Sequence, residues 1–224
     1  MALFLIIMVI SMGIQWVLKS KFTKYSKTPL QSNLSGHEVA EMMLKDNGIF
    51  DVKVYSVEGQ LTDHYDPTKK TVNLSNEVYY GRNAAAVAVA AHECGHAVQH
   101  SKAYAWLNFR SALIPVLSFS SRYMSWVILA GILLLQFSIL PLAIGVFMFA
   151  FTTLFSFITL PVEFDASNRG LAYISNRGIV TSSEYAMSKD ALWWAAMTYV
   201  VAALGSLATL LYYASILMGR RSGD

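Results

Sequence analysis

The chain has 224 residues, 55% of them hydrophobic and 14% charged, with a formal net charge of +3. An average globular domain carries about 25% charged residues, so a wholly water-soluble fold, a disordered chain and a coiled coil are excluded. So small a net charge leaves no electrostatic footprint for nucleic acid, and the single cysteine, Cys94, excludes an internal disulfide framework.

Residues 2–18 carry no charge. As a helix they would extend about 25 Å, enough to cross a bilayer core. No basic residue precedes the run and no small-x-small cleavage site follows it, so 1–18 reads as a retained transmembrane anchor rather than a signal peptide. Segment 19–122 is long enough for a small fold. Ser35 and Glu38 have capping-box spacing ahead of an amphipathic run, and Gly48 suits a C-terminal cap, which predicts a helix over 36–47. Residues 51–57 alternate and read as a strand, 62–70 (TDHYDPTKK) as a turn, and 71–75 (TVNLS) as a second short strand. An alanine-rich helix is expected over about 82–104.

From Tyr123 to Val162 there are forty residues without Asp, Glu, Lys or Arg. That is too long for one span and suits two. With a break at Gln136, Ser138 and Pro141, a transmembrane hairpin is expected within 120–160, as helices over about 120–137 and 141–160. A helical segment, 161–190, leads to a fourth span within 191–219, which opens at Trp193 and Trp194 and closes near Tyr212 and Tyr213. Segment 19–122 holds twelve basic residues, 161–190 holds three, and Arg220 and Arg221 lie at the end. Four spans place 19–122 and 161–190 on one side, which the positive-inside rule makes the cytoplasm. The expected class is therefore a mainly α, multi-pass integral membrane protein of the cell membrane.

Within the alanine-rich helix stands His92-Glu93-Cys94-Gly95-His96, an H-E-x-x-H pattern. Residues i and i+4 project from one helix face, so both imidazoles can reach one ion. Glu93 is rotated by about 100° from His92, where it can take a proton from metal-bound water and pass it to a leaving amine. Zinc would polarise the peptide carbonyl and activate the water.

Such a site needs a third protein ligand. Position 102 is Lys102, not the histidine of a metzincin, and His100 lies about 12 Å along the helix from His92. His37 and His64 read as surface or loop histidines. Glu163, the first charge after the forty neutral residues, lands near the active helix if the hairpin returns the chain to its starting side. A His92–His96–Glu163 set with an open fourth position follows, with Asp165 as the alternative ligand or as a group that orients a histidine. Arg169 and Tyr173 are both candidates to stabilise the transition-state oxyanion. Asp63, His64 and Asp66 read as turn residues, with substrate or second-ion binding as the other option. Cys94 reads as a packing residue, and strand 71–75 as an edge for an extended substrate.

LTDHYDP (61–67), AAHECGHAVQH (90–100) and LPVEFDAS (160–167) together resemble the YugP-like neutral zinc metallopeptidases of bacterial membranes, with similarity over nearly the whole chain. More distantly the chain is similar to the HtpX-like and CAAX-processing membrane peptidases. The resemblance implies a small α+β zincin-like catalytic domain between four transmembrane helices. It also implies His92, His96 and Glu163 as ligands and Glu93 as general base. The wider clan usually reads E-x-x-x-D, whereas here position 167 is Ser167, which leaves open the residue that braces the histidine. The expectation is a zinc endopeptidase with one Zn2+ per chain, acting on membrane or membrane-proximal proteins. Its partners are a protein or peptide substrate and the lipid bilayer, with no nucleic acid. An intramembrane zinc protease and a non-catalytic zinc-binding scaffold or chaperone are the alternatives.

Overall fold

A computed structural model of the chain describes residues 2–221; Met1 of the expected anchor lies outside them. The first helix, α1, runs Ala2–Tyr25 and so continues past the apolar run through Lys19, Lys21 and Lys24. A helix does not stop where it leaves an apolar medium, because its hydrogen bonds are internal. A small α/β layer follows. Helix α2 (Gly36–Asp46) begins in the expected capping box, Ser35 and Glu38 each accepting from the other's backbone N–H. It ends at Asn47, and Gly48 takes the left-handed conformation (φ 71°).

Three strands follow: β1 (Lys53–Val57), β2 (His64–Asp66) and β3 (Thr71–Ser75), in the order β1-β3-β2. β1 pairs parallel to β3, and β2 antiparallel to it. Two expectations change here. The stretch read as a turn contains strand β2, and the turn is confined to its end, where Asp66 accepts from the backbone N–H groups of Thr68 and Lys69. β3 is paired on both sides, so strand 71–75 is no edge for a substrate; a free edge belongs to β2.

After the short helix α3 (Asn76–Tyr79), α4 spans Ala84–Ser101 with Asn83 capping its N-terminus. Alanine, valine and glycine keep α4 thin enough to be enclosed almost throughout. One side meets α2 and β3, and the other meets the later helices. α5 (Ala105–Leu133) and α6 (Leu140–Asn176) form a hairpin, and α7 (Ser182–Arg221) returns. α1, α5, α6 and α7 are long and apolar enough to cross a membrane. Each is longer than the uncharged run that announced it: α5 begins at residue 105, and Glu163 stands within α6 rather than in a separate segment.

Close packing fixes the helices. In the hairpin, a Cβ on Gly131 would lie 2.6 Å from the Leu142 backbone, and one on Gly145 would lie 2.7 Å from the Ile128 side chain. α1 runs antiparallel along α7, with Lys21 paired to Asp190 at 2.8 Å and Gly205 against Ile7. The tightest crossing is that of α4 with α6. A Cβ on Gly95 would meet the Ala166 carbonyl oxygen at 2.4 Å, and one on Gly170 would meet the Ala91 backbone at 2.8 Å. Small residues at both points let two backbones touch, and that contact sets the α4 histidines opposite Glu163.

Candidate metal centre

Helix α4 projects His92 and His96 from one face, with ring centroids 4.8 Å apart. Across the crossing, Glu163 Oε2 lies 3.4 Å from His92 Nε2 and 3.6 Å from His96 Nε2. Among the described residues these three side chains form a group whose ligand atoms all lie within 4.8 Å of one another. Donors around a tetrahedral zinc with bonds of about 2.05 Å stand about 3.4 Å apart, so the two histidine–glutamate separations fit that ion. Glu163 is 3% exposed, and its Oε2 has no hydrogen-bond partner among the described residues. A buried carboxylate oxygen aimed at two imidazole nitrogens needs a cation or a proton between them.

The outer nitrogens of both rings are already held. His96 Nδ1–H donates to Gln99 Oε1 at 3.0 Å, and His92 Nδ1 pairs with Ser167 Oγ at 3.0 Å. A proton kept on Nδ1 leaves the Nε2 lone pair free for a metal, which is how such outer contacts orient histidine ligands. Gln99 is fully buried, and its amide donates to the Val162 carbonyl and to Asp165 Oδ2, both at 2.8 Å. Asp165 in turn accepts from Arg169 Nε at 2.6 Å. The other Glu163 oxygen, Oε1, faces Arg110 Nη1 of α5 at 3.4 Å. Three helices therefore brace the group.

The sequence candidates separate accordingly. Glu93 is buried and lines the same cavity as His92, Glu163 and Ser167, a space of about 290 Å³. Asp165 stands behind His96, reaching it through Gln99. Arg169 is engaged by Asp165. Tyr173 points elsewhere: its hydroxyl donates to Asp46, which also pairs with Arg177. The tyrosine in the cavity wall is Tyr199 of α7. Gln99, Arg110 and Tyr199 were not singled out from the sequence. Gln99 follows His96 by three residues on the same helix face, a spacing that could have exposed it.

The other histidines sit apart. His37 stacks on Tyr79 at 4.3 Å, His64 Nδ1 pairs with the Thr62 carbonyl, and His100 Nδ1 pairs with the Tyr65 hydroxyl at 2.9 Å. Burial pushes that hydroxyl up to about 12, so it remains a donor at neutral pH. Burial likewise raises the Cys94 thiol, which faces the Ala40 carbonyl away from the histidines. An enclosed neutral thiol of this kind is a packing group rather than a nucleophile. Asp63 accepts from the backbone N–H and the hydroxyl of Ser75, tying the stretch before β2 to the end of β3; burial raises its carboxyl.

A search of the solved structures found no match to the chain. A curated relative, "Putative membrane protease YugP" of Bacillus subtilis (strain 168), is 41% identical over 223 residues, 98% of each chain. Residues 1–218 match the family described as "Putative neutral zinc metallopeptidase". The chain belongs to that family.

Proposed function

We propose that the protein is a multi-pass cell-membrane zinc endopeptidase holding one Zn2+ on His92, His96 and Glu163 and cutting membrane or membrane-proximal polypeptides on the cytoplasmic side. The observation that carries this reading is the convergence of two Nε2 atoms and the partnerless Glu163 Oε2, with both Nδ1 atoms held from behind. A His₂Glu set with an open position is the pattern of catalytic rather than structural zinc. The sheet and the α4 helix beside it would form a zincin-like catalytic unit.

Bound zinc supplies Lewis-acid activation of water and of the scissile carbonyl. Glu93 faces the same cavity from the turn between the two histidines, where it accepts the proton of the attacking water and returns it to the departing amine. The Gln99 carbonyl oxygen keeps the proton of His96 on Nδ1, and Ser167 orients the His92 ring. Arg110 holds Oε1 of Glu163, so that Oε2 alone is presented. The free edge of β2, which starts at the cavity wall beside Asp63, can pair with a substrate backbone.

The test is Glu93→Gln. The expected protein retains its zinc and loses casein hydrolysis by about 10²-fold or more, since a general base contributes that much. A variant that retains both zinc and full hydrolysis would overturn Glu93 as the general base, whereas a zinc-loaded wild type that hydrolyses nothing would favour a zinc-binding scaffold.

A further inference from the structure

The cavity beside Glu93 adjoins a second one. The metal-side chamber, about 290 Å³, and a neighbour of about 330 Å³ share Leu18, Phe22, Leu61 and Asp63 in their walls. Both chambers are largely apolar and differ in the residues they do not share. Leu192, Ala195 and Ala196 line the first alone. Lys19, Gln60, Glu77 and Asn83 line the second alone, which with the shared Asp63 holds two acidic groups against one basic.

Their positions along the helices differ in the same sense. α1 turns from apolar to basic between Leu18 and Lys19. With Lys21 opposite Asp190 and Ile7 opposite Gly205, the antiparallel pairing puts Tyr199 roughly 13 Å beyond Asp190 toward the apolar end, level with the uncharged part of α1. The metal-side chamber therefore reaches furthest toward the apolar side, at Tyr199, while the second chamber is offset toward the polar side, running from Gln15 of α1 to Ser26 just beyond it. Leu61 stands where the chambers meet. It is 67% exposed and has a left-handed backbone (φ 58°), a conformation that costs a leucine of order 1 kcal/mol or more. An exposed apolar side chain held at that cost is positioned to contact something.

The geometry points to a two-chamber groove that takes the cytoplasmic end of a transmembrane segment, with an apolar residue beside the metal ligands, a lysine or arginine beside Asp63 and Glu77, and Leu61 clamping the chain between them. This rests on the protease reading above and names its substrate class. Cytoplasmic ends of membrane spans carry this order, apolar then basic.

The experiment uses the full-length Glu93→Gln protein, zinc-loaded, in nanodiscs of neutral lipid, with empty nanodiscs as background. The probes are three labelled peptides of equal length: an apolar half followed by lysines, the same half followed by glutamates, and a polar half followed by lysines. The lysine-tailed apolar peptide should bind about fivefold tighter than the glutamate-tailed one, the size of one exposed charge interaction. Adding Glu77→Lys should erase or invert that preference without reducing the zinc content. Adding Leu61→Gly should weaken both apolar peptides alike, and the polar-half peptide should bind least. Equal binding of all three peptides, unmoved by Glu77→Lys and Leu61→Gly, while the wild type hydrolyses casein, would overturn the groove and spare the protease. A folded wild type that holds no zinc and hydrolyses nothing would overturn both.

Discussion

The crossing of α4 with α6 and the pairing of α1 with α7 both use glycine, at very different separations. At the first, a Cβ on Gly95 would sit 2.4 Å from a backbone oxygen; at the second, a Cβ on Gly205 would sit 3.0 Å from Cγ2 of the Ile7 side chain. Backbone yields less readily than a side-chain methyl. The difference follows from the work each pair does. Helices α4 and α6 bring the Glu163 carboxylate to 3.4 and 3.6 Å from the two histidine Nε2 atoms, and on the proposed function they must hold these as metal ligands. Helices α1 and α7 border the cavity, where space is needed for a substrate.

Gly95→Ala should therefore give the largest effect, a destabilisation of about 3 kcal/mol with loss of the metal site, since overpacking against backbone lies at the costly end of core substitutions. Gly205→Ala should change stability by less than about 1 kcal/mol, because the better helix propensity of alanine offsets a small shift of Ile7. Thermal unfolding of both variants in the same detergent checks the contrast; equal losses would mean that the two helix pairs do the same work.

Gln99→Leu comes next. It leaves the His96 Nδ1, the Val162 carbonyl and the Asp165 carboxylate without their buried partner. A loss of about 2–3 kcal/mol and zinc binding weaker by about 10–100-fold are expected from competition with a chelator. Ser167→Ala removes one contact from His92, so its loss of zinc affinity should be closer to the lower figure, with stability nearly unchanged. Were Ser167→Ala the more damaging of the two, the bracing would lie chiefly with His92.

How far the sequence reveals this arrangement depends on distance along the chain. His92, Glu93 and His96 are legible because helix geometry alone puts them together, and Glu163 because a charge that closes forty neutral residues stands out. The bracing set is not legible in that way. Gln99 has only its i+3 spacing from His96 to mark it, while Arg110 and Ser167 belong to other helices, and their meeting with the α4 histidines depends on the Gly95–Ala166 contact, which no local pattern encodes. Tyr173 and Tyr199 show the same limit: residue type suggested the first, and the packing of α7 brings the second to the cavity. Strand β2 was hidden because three residues flanked by turn chemistry carry too little periodicity.

The smallest effect concerns the capping box of α2. The Ser35 backbone and side chain hold the Glu38 carboxyl below the ordinary glutamate range, and Arg82 adds to this at 2.9 Å. A carboxyl lowered on folding stabilises the protein fully above its unfolded value, and that stabilisation is lost as pH falls through the folded value. Glu38→Gln should cost about 0.5–1 kcal/mol at pH 7 and flatten this acid dependence, without altering zinc affinity. Denaturant titrations at neutral and acid pH, with zinc content measured in parallel, would show it; a change in zinc affinity would mean that the α/β layer and the metal centre are coupled.

The central claim is that His92, His96 and Glu163 share one zinc ion. Metal analysis of the detergent-purified wild type beside Glu163→Ala tests it most directly. The account predicts about one zinc per wild-type chain, lost or held about 10²-fold or more weakly in the variant, because two histidines alone leave the ion with too few protein ligands. Zinc retained at wild-type affinity by a folded Glu163→Ala protein would contradict it.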